Sequence, residues 1–85
     1  MLTDAQIDRA VERLVEAAQP SRILLFGSYA RGDADDDSDL DLLVIEDDVA
    51  DRAAEMVRLR RALRPLRIPV DVLVHSRADV ERFRH

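Results

Sequence analysis

The 85-residue chain is 47% hydrophobic with a formal net charge of −5: material for one small domain, residues 1–85, and too negative for a non-specific nucleic-acid binder, which needs a basic footprint. Cysteine is absent, which excludes disulfides and thiolate metal sites and leaves oxygen or imidazole to hold any metal. No apolar run approaches the ~20 residues that span a bilayer, and M-L-T-D-A-Q lacks the basic flank and apolar centre of a signal peptide, so a cytoplasmic protein is expected, with no membrane and no direct nucleic-acid contact.

Thr3 followed by Gln6 reads as a capping box, with Leu2 and Ile7 as a hydrophobic staple, so a helix starts at Asp4. Ile7, Val11, Leu14, Val15 and Ala18 recur at helical spacing, and Pro20 ends the helix. Its apolar face reads as core packing. Ser21 to Phe26 forms a first strand, apolar on both faces and therefore expected to be central or well covered.

The two glycines of the chain, Gly27 and Gly32, bracket the turn that follows. Their G-x-x-x-x-G spacing mimics a P-loop, but the next residue is Asp33 where that loop needs lysine, and all thirteen basic residues are arginine. A dinucleotide fingerprint fails for want of a third glycine. Ser28 to Arg31 reads as a short helical turn. Its amides, the Ser28 hydroxyl and Arg31 either hold phosphate oxygens or amount to a cap and a surface arginine. Asp33, Asp35, Asp36 and Asp37 read as a solvated loop.

Asp39 to Ile45 is a second strand, in which Asp39 and Asp41 share one face and Leu40 and Leu42 the other. Two carboxylates held side by side repel each other unless a cation lies between them, which points to a divalent metal. Asp47 or Asp48 is expected to cap a helix running to about Arg64, with Val49, Ala53, Met56, Leu59, Leu63 and Leu66 as its buried stripe. The arginines crowded at 58, 60, 61, 64 and 67 are either a solvated face or a contact for an acidic partner or a nucleotide, Arg58 and Arg61 being the candidates.

Ile68 to Val74 is a third strand. Asp71 within it is a lone acid among apolar neighbours, either a functional group or the wet end of the strand. Ser76 with Asp79 caps a last short helix carrying Val80 and Phe83, and His75 and His85 show no ligand spacing. A strand-helix-strand crossover from 39 to 74 puts both strand starts at one sheet edge. Asp39, Asp41 and Asp71 then meet. For the glycine turn to reach that edge the first strand must run antiparallel, giving an α/β (α+β) domain with a three-stranded mixed sheet in order 1-2-3 covered by helices. The site suits Mg²⁺ and a nucleoside triphosphate.

These residues carry a resemblance. Gly27-Ser28, ten residues, then Asp39-x-Asp41, with A-R-G at 30–32 and S-D-L-D-L-L-V at 38–44, resembles the signature of the DNA polymerase beta-like nucleotidyltransferases and, more narrowly, of the minimal nucleotidyltransferase (MNT) proteins. The resemblance implies a nucleotidyltransferase fold. It also implies a phosphate turn at Gly27 and Ser28, bridging metal ligands at Asp39 and Asp41, and a third carboxylate at Asp71 that helps take a proton from an acceptor hydroxyl. Arg31 and Ser38 are implied nucleotide contacts, two Mg²⁺ ions the cofactors, and ATP the substrate. Proteins of this kind resemble the antitoxin of HEPN/MNT toxin-antitoxin pairs, which implies a HEPN-family RNase toxin as partner, AMP transfer to its tyrosine, and a homodimer or hetero-oligomer. The alternative is an antitoxin that acts by binding alone.

Overall fold

A computed structural model describes residues 1–82. Its elements run α1 (Asp4–Ala18), β1 (Arg22–Phe26), α2 (Gly27–Arg31), β2 (Leu40–Glu46), α3 (Arg52–Leu63), a 3-10 turn (Arg64–Leu66), β3 (Val70–Ser76) and α4 (Arg77–Arg82). Phe83 and His85, both read in the sequence, lie outside the described residues. The sheet is mixed and three-stranded, in order β1-β2-β3, with β1 antiparallel and β3 parallel to β2.

Local chemistry sets the helix ends. Thr3 Oγ1 accepts from the Gln6 amide at 3.2 Å and Gln6 Oε1 accepts from the Thr3 amide at 2.8 Å, closing the expected capping box. Gln19, left-handed at φ 47°, stops α1 just before Pro20. Ser76 Oγ accepts from the Asp79 amide at 3.1 Å at the start of α4, also as read. α3 departs from the reading. Its N-cap is Asp51, whose carboxylate accepts from the Ala54 amide at 3.0 Å, and not Asp47 or Asp48. The chain spends residues 47–51 leaving β2 and seating Val49 against the core. Asp47 instead accepts from the Ser21 hydroxyl at 2.6 Å and from Arg77 at 3.4 Å.

The core is built by alternation. Leu40, Leu42 and Val44 of β2 and Val72 and Val74 of β3 meet Ala10 and Leu14 of α1 and Leu59 and Leu63 of α3, all within 1% of full burial. Each such leucine contributes about 1.5–3 kcal/mol. The stripes differ from expectation at their margins: Val15 and Ala53 are exposed, and Ala10 takes a core position. α3 begins only at Arg52, so Ala53 lies in its overhanging first turn.

β1 is an edge strand. Leu24 is 39% and Leu25 40% exposed, so the expectation of a central or well-covered strand is corrected: β1 pairs only with β2, and two apolar faces do not guarantee two covering layers. The crowded arginines are also more than a solvated face. Arg13 donates to Ala62 O at 3.0 and 3.2 Å, while Arg58 donates to Ala17 O at 2.8 Å. Each of the antiparallel helices α1 and α3 thus has a last-turn carbonyl capped by an arginine of the other.

Candidate functional site

The register assembles the candidate residues at one end of the strands. Asp41 is the second residue of β2 and pairs with Asp71, the second residue of β3. On its other side Asp41 pairs with Phe26, the last residue of β1, so Gly27 and α2 start beside it. Since Leu40 and Leu42 enter the core, Asp41 and Asp71 project to the opposite face. Asp39 lies one residue ahead of β2 instead of opening it, just before the rung in which the Leu40 amide donates to Pro69 O at 2.8 Å.

Electrostatics tie the group together. Burial first, then the charges of Asp71 and Asp39, push the Asp41 carboxyl above the ordinary carboxylate range, while Arg31 pulls it down. Gly27 has a specific reason to be glycine. Its φ is +73°, and a Cβ there would stand 2.2 Å from Asp41 Oδ2, so the carboxylate occupies the space that any side chain would need.

The implied nucleotide contacts are placed as follows. Phe26, the N-cap of α2, makes no side-chain capping bond, and Ser28 O accepts from the Gly32 and Asp33 amides at 3.0 and 3.1 Å. The Tyr29 hydroxyl accepts from the Leu2 amide at 2.9 Å and so ties α2 to the entry of α1. Arg31 is exposed, with Nε 3.3 Å from Asp33 Oδ2. Ser38 has a structural use: its hydroxyl accepts from the Asp35 amide at 2.9 Å and donates to Asp35 Oδ1 at 3.1 Å, closing the acidic loop.

Asp71 is at the wet end of its strand. Its side chain is 46% exposed and Oδ1 accepts from Arg60 Nη2 at 2.6 Å. Sequence reasoning missed this partner, because nothing in a helix of arginines marks which one reaches over a strand edge. It also missed a carboxyl pair at the far end of β2. Glu46 is pushed up to about 7, by burial first and then by its hydrogen bond to Glu55; Glu55 is held down to about 2, first by its hydrogen bonds from Arg58.

The donor set fits a hard divalent cation: oxygen ligands only, and a central carboxyl raised by burial and then by two like-charged neighbours. Among the described residues no three His, Cys, Asp or Glu side chains are gathered closely enough to hold an ion as they stand. At this end Asp39 is exposed and Asp41 and Asp71 are half-buried. A hollow of about 420 Å³ lined by Ser21, Arg22, Ile45, Arg77, Val80 and Glu81 lies at the opposite end of the strands.

The family described as "Nucleotidyltransferase domain" matches residues 6–84. Two proteins of Methanocaldococcus jannaschii, both bearing the name "Putative protein adenylyltransferase", are similar to the chain. One is 62% identical over 24 residues, covering 28% of this chain and 24% of that protein. The other is 39% identical over 46 residues, covering 47% of this chain and 46% of that protein. The matched stretches thus span less than half the length of either relative. A crystal structure titled as a putative nucleotidyltransferase from Sulfolobus solfataricus superposes with a TM-score of 0.71 at 25% identity, covering 94% of this chain and 72% of that one.

Proposed function

The chain belongs to the nucleotidyltransferase domain family, and from that premise we propose that it transfers AMP from ATP to a hydroxyl, expected to be a tyrosine's, of a HEPN-family RNase toxin and so neutralises it. The observation that carries this reading is the register that sets Asp41 between Asp71 and the Phe26-Gly27 turn. That register brings an oxygen ligand set and a glycine turn to one sheet end.

Asp39, Asp41 and Asp71 would hold Mg²⁺. Bound there, Mg²⁺ supplies positive charge for the triphosphate and departing pyrophosphate and lowers the pKa of the acceptor hydroxyl. Gly27 and Ser28 present backbone and hydroxyl to phosphate oxygens, with Arg31 as a guanidinium contact. The acceptor oxygen bonds to the α-phosphorus, the bond from that phosphorus to the β-bridging oxygen breaks, and the proton passes to Asp71 at Oδ2, the oxygen Arg60 leaves alone. With its carboxylates exposed or half-buried, the site asks a partner to bring the acceptor and exclude water. Arg61, exposed on α3, is a candidate contact; Arg58 is engaged by Glu55 and Ala17 within the chain.

One observation favours the binding-only alternative. Asp71 is paired and half-exposed, so keeping it costs a retired enzyme little stability. Incubating the protein with Mg²⁺, ATP and its HEPN partner and weighing the partner by intact-mass spectrometry separates the readings. A gain of AMP units that Asp39→Ala abolishes supports transfer. Unchanged mass with full neutralisation by Asp39→Ala establishes binding alone.

A further inference from the structure

Arg60 belongs to none of the motifs that mark the site, yet it touches the site directly. It follows the buried Leu59 on α3 and reaches the outer edge of β3, where Nη2 donates to Asp71 Oδ1 at 2.6 Å and to Val72 O at 3.2 Å. Because β3 ends the sheet, its outward carbonyls have no strand to bind; Arg52 takes Val74 O in the same way. We propose that Arg60 is a positioning residue for the metal-nucleotide site: it holds Asp71 at the sheet edge before loading and yields Oδ1 to a divalent cation, so that it sets the affinity for the ion. This rests on the nucleotidyltransferase reading.

Three observations carry the inference. First, Asp71 lies directly across from Asp41, yet the three carboxylates are not gathered closely enough to hold an ion, and the guanidinium on Oδ1 is the contact that engages Asp71. Second, the pair is displaceable. The Arg60 and Asp71 side chains are 44% and 46% exposed, so water and salt weaken their attraction, and a doubly charged cation competes well against a screened guanidinium. Third, Arg60 has somewhere to stay. Val72 O anchors it to backbone, so losing Oδ1 does not require the side chain to swing away.

The test is Mn²⁺ binding to the metal-free protein, followed by electron paramagnetic resonance, in wild type, Arg60→Gln and Arg64→Gln, and again with Asp71→Ala added. Arg64→Gln removes the same charge from an exposed position on the 3-10 turn. Arg60→Gln is expected to bind Mn²⁺ about fivefold more tightly than wild type, the scale of one half-exposed ion pair, and Arg64→Gln to match wild type. In the Asp71→Ala background the Arg60 effect should vanish, as a double-mutant cycle requires of a residue acting through its partner. Equal affinities for Arg60→Gln and Arg64→Gln, or a gain that survives loss of Asp71, overturn the proposal and leave the site reading standing. No Mn²⁺ binding by any chain overturns both. Should Arg60→Gln fail to fold, Arg60→Lys carries the test, since one nitrogen, Nη2, makes both contacts and a shorter, more strongly hydrated ammonium holds Oδ1 less well: a smaller gain supports the proposal and wild-type affinity overturns it.

Discussion

Gly27 and Gly32 look interchangeable as turn glycines, since both are left-handed, at φ 73° and 83°. A Cβ at Gly27 would meet Asp41 Oδ2 at 2.2 Å, whereas at Gly32 nothing lies within 4 Å. Alanine at either position should therefore cost about 1–2 kcal/mol of backbone strain, seen as a lower melting temperature. Only Gly27→Ala should also impair Mg²⁺-ATP binding, because it displaces the central carboxylate; equal binding by the two variants would refute that role. Glu46 makes a pH prediction. Its carboxyl is raised to about 7 in the fold from an ordinary 4.5, by burial first and then by its hydrogen bond to Glu55, and its Oε2 is buried without a partner. A raised acid contributes stability below its unfolded pKa and loses it as pH climbs through the folded value. The Glu55 contribution, from a carboxyl held down to about 2, runs the other way: it is full above pH 4.5 and lost toward pH 2. Of these two carboxyls only Glu46 changes between pH 5 and 8, so melting temperature should fall more steeply over that window in wild type than in Glu46→Gln. Parallel slopes would contradict the raised Glu46 carboxyl.

At the scale of elements, helix starts were legible where the cap and its reciprocal partner are local, as at Thr3-Gln6 and Ser76-Asp79. D-D-V-A-D offers three capping aspartates in five residues, and the choice of Asp51 depends on where Val49 must pack, which local patterning does not hold. Asp51→Ala should cost about 1 kcal/mol, a drop of about 4–8 °C in melting temperature for a domain of this size. Asp48→Ala should stay within about 0.5 kcal/mol; a larger loss there than at Asp51 would show the cap misplaced. The edge position of β1 was misjudged for a related reason. R-I-L-L-F reads as apolar on both faces, but whether a layer covers each face is decided by the path of the helices. The arginines of α3 were opaque in the same way: charge spacing on a helix shows that a side is polar, not that Arg52, Arg58 and Arg60 each cap a carbonyl elsewhere in the chain.

For the whole molecule, topology carries the functional argument. The antiparallel turn into β2 and the parallel crossover to β3 were both deducible, because one sheet end had to receive Gly27, Asp41 and Asp71 together, and the observed register does so. What the sequence could not supply was the guanidinium that already answers one of those carboxylates. The central claim is that this end of the sheet is a single metal-nucleotide site. Its most direct test is calorimetric titration of α,β-methylene ATP, which cannot transfer AMP, into wild type and into the Asp39→Asn, Asp41→Asn double variant, with and without Mg²⁺. The account predicts binding to wild type that depends on Mg²⁺ and weakens by roughly tenfold or more, about 1.4 kcal/mol, in the double variant. Binding of equal strength in both proteins, or binding indifferent to Mg²⁺, would contradict it.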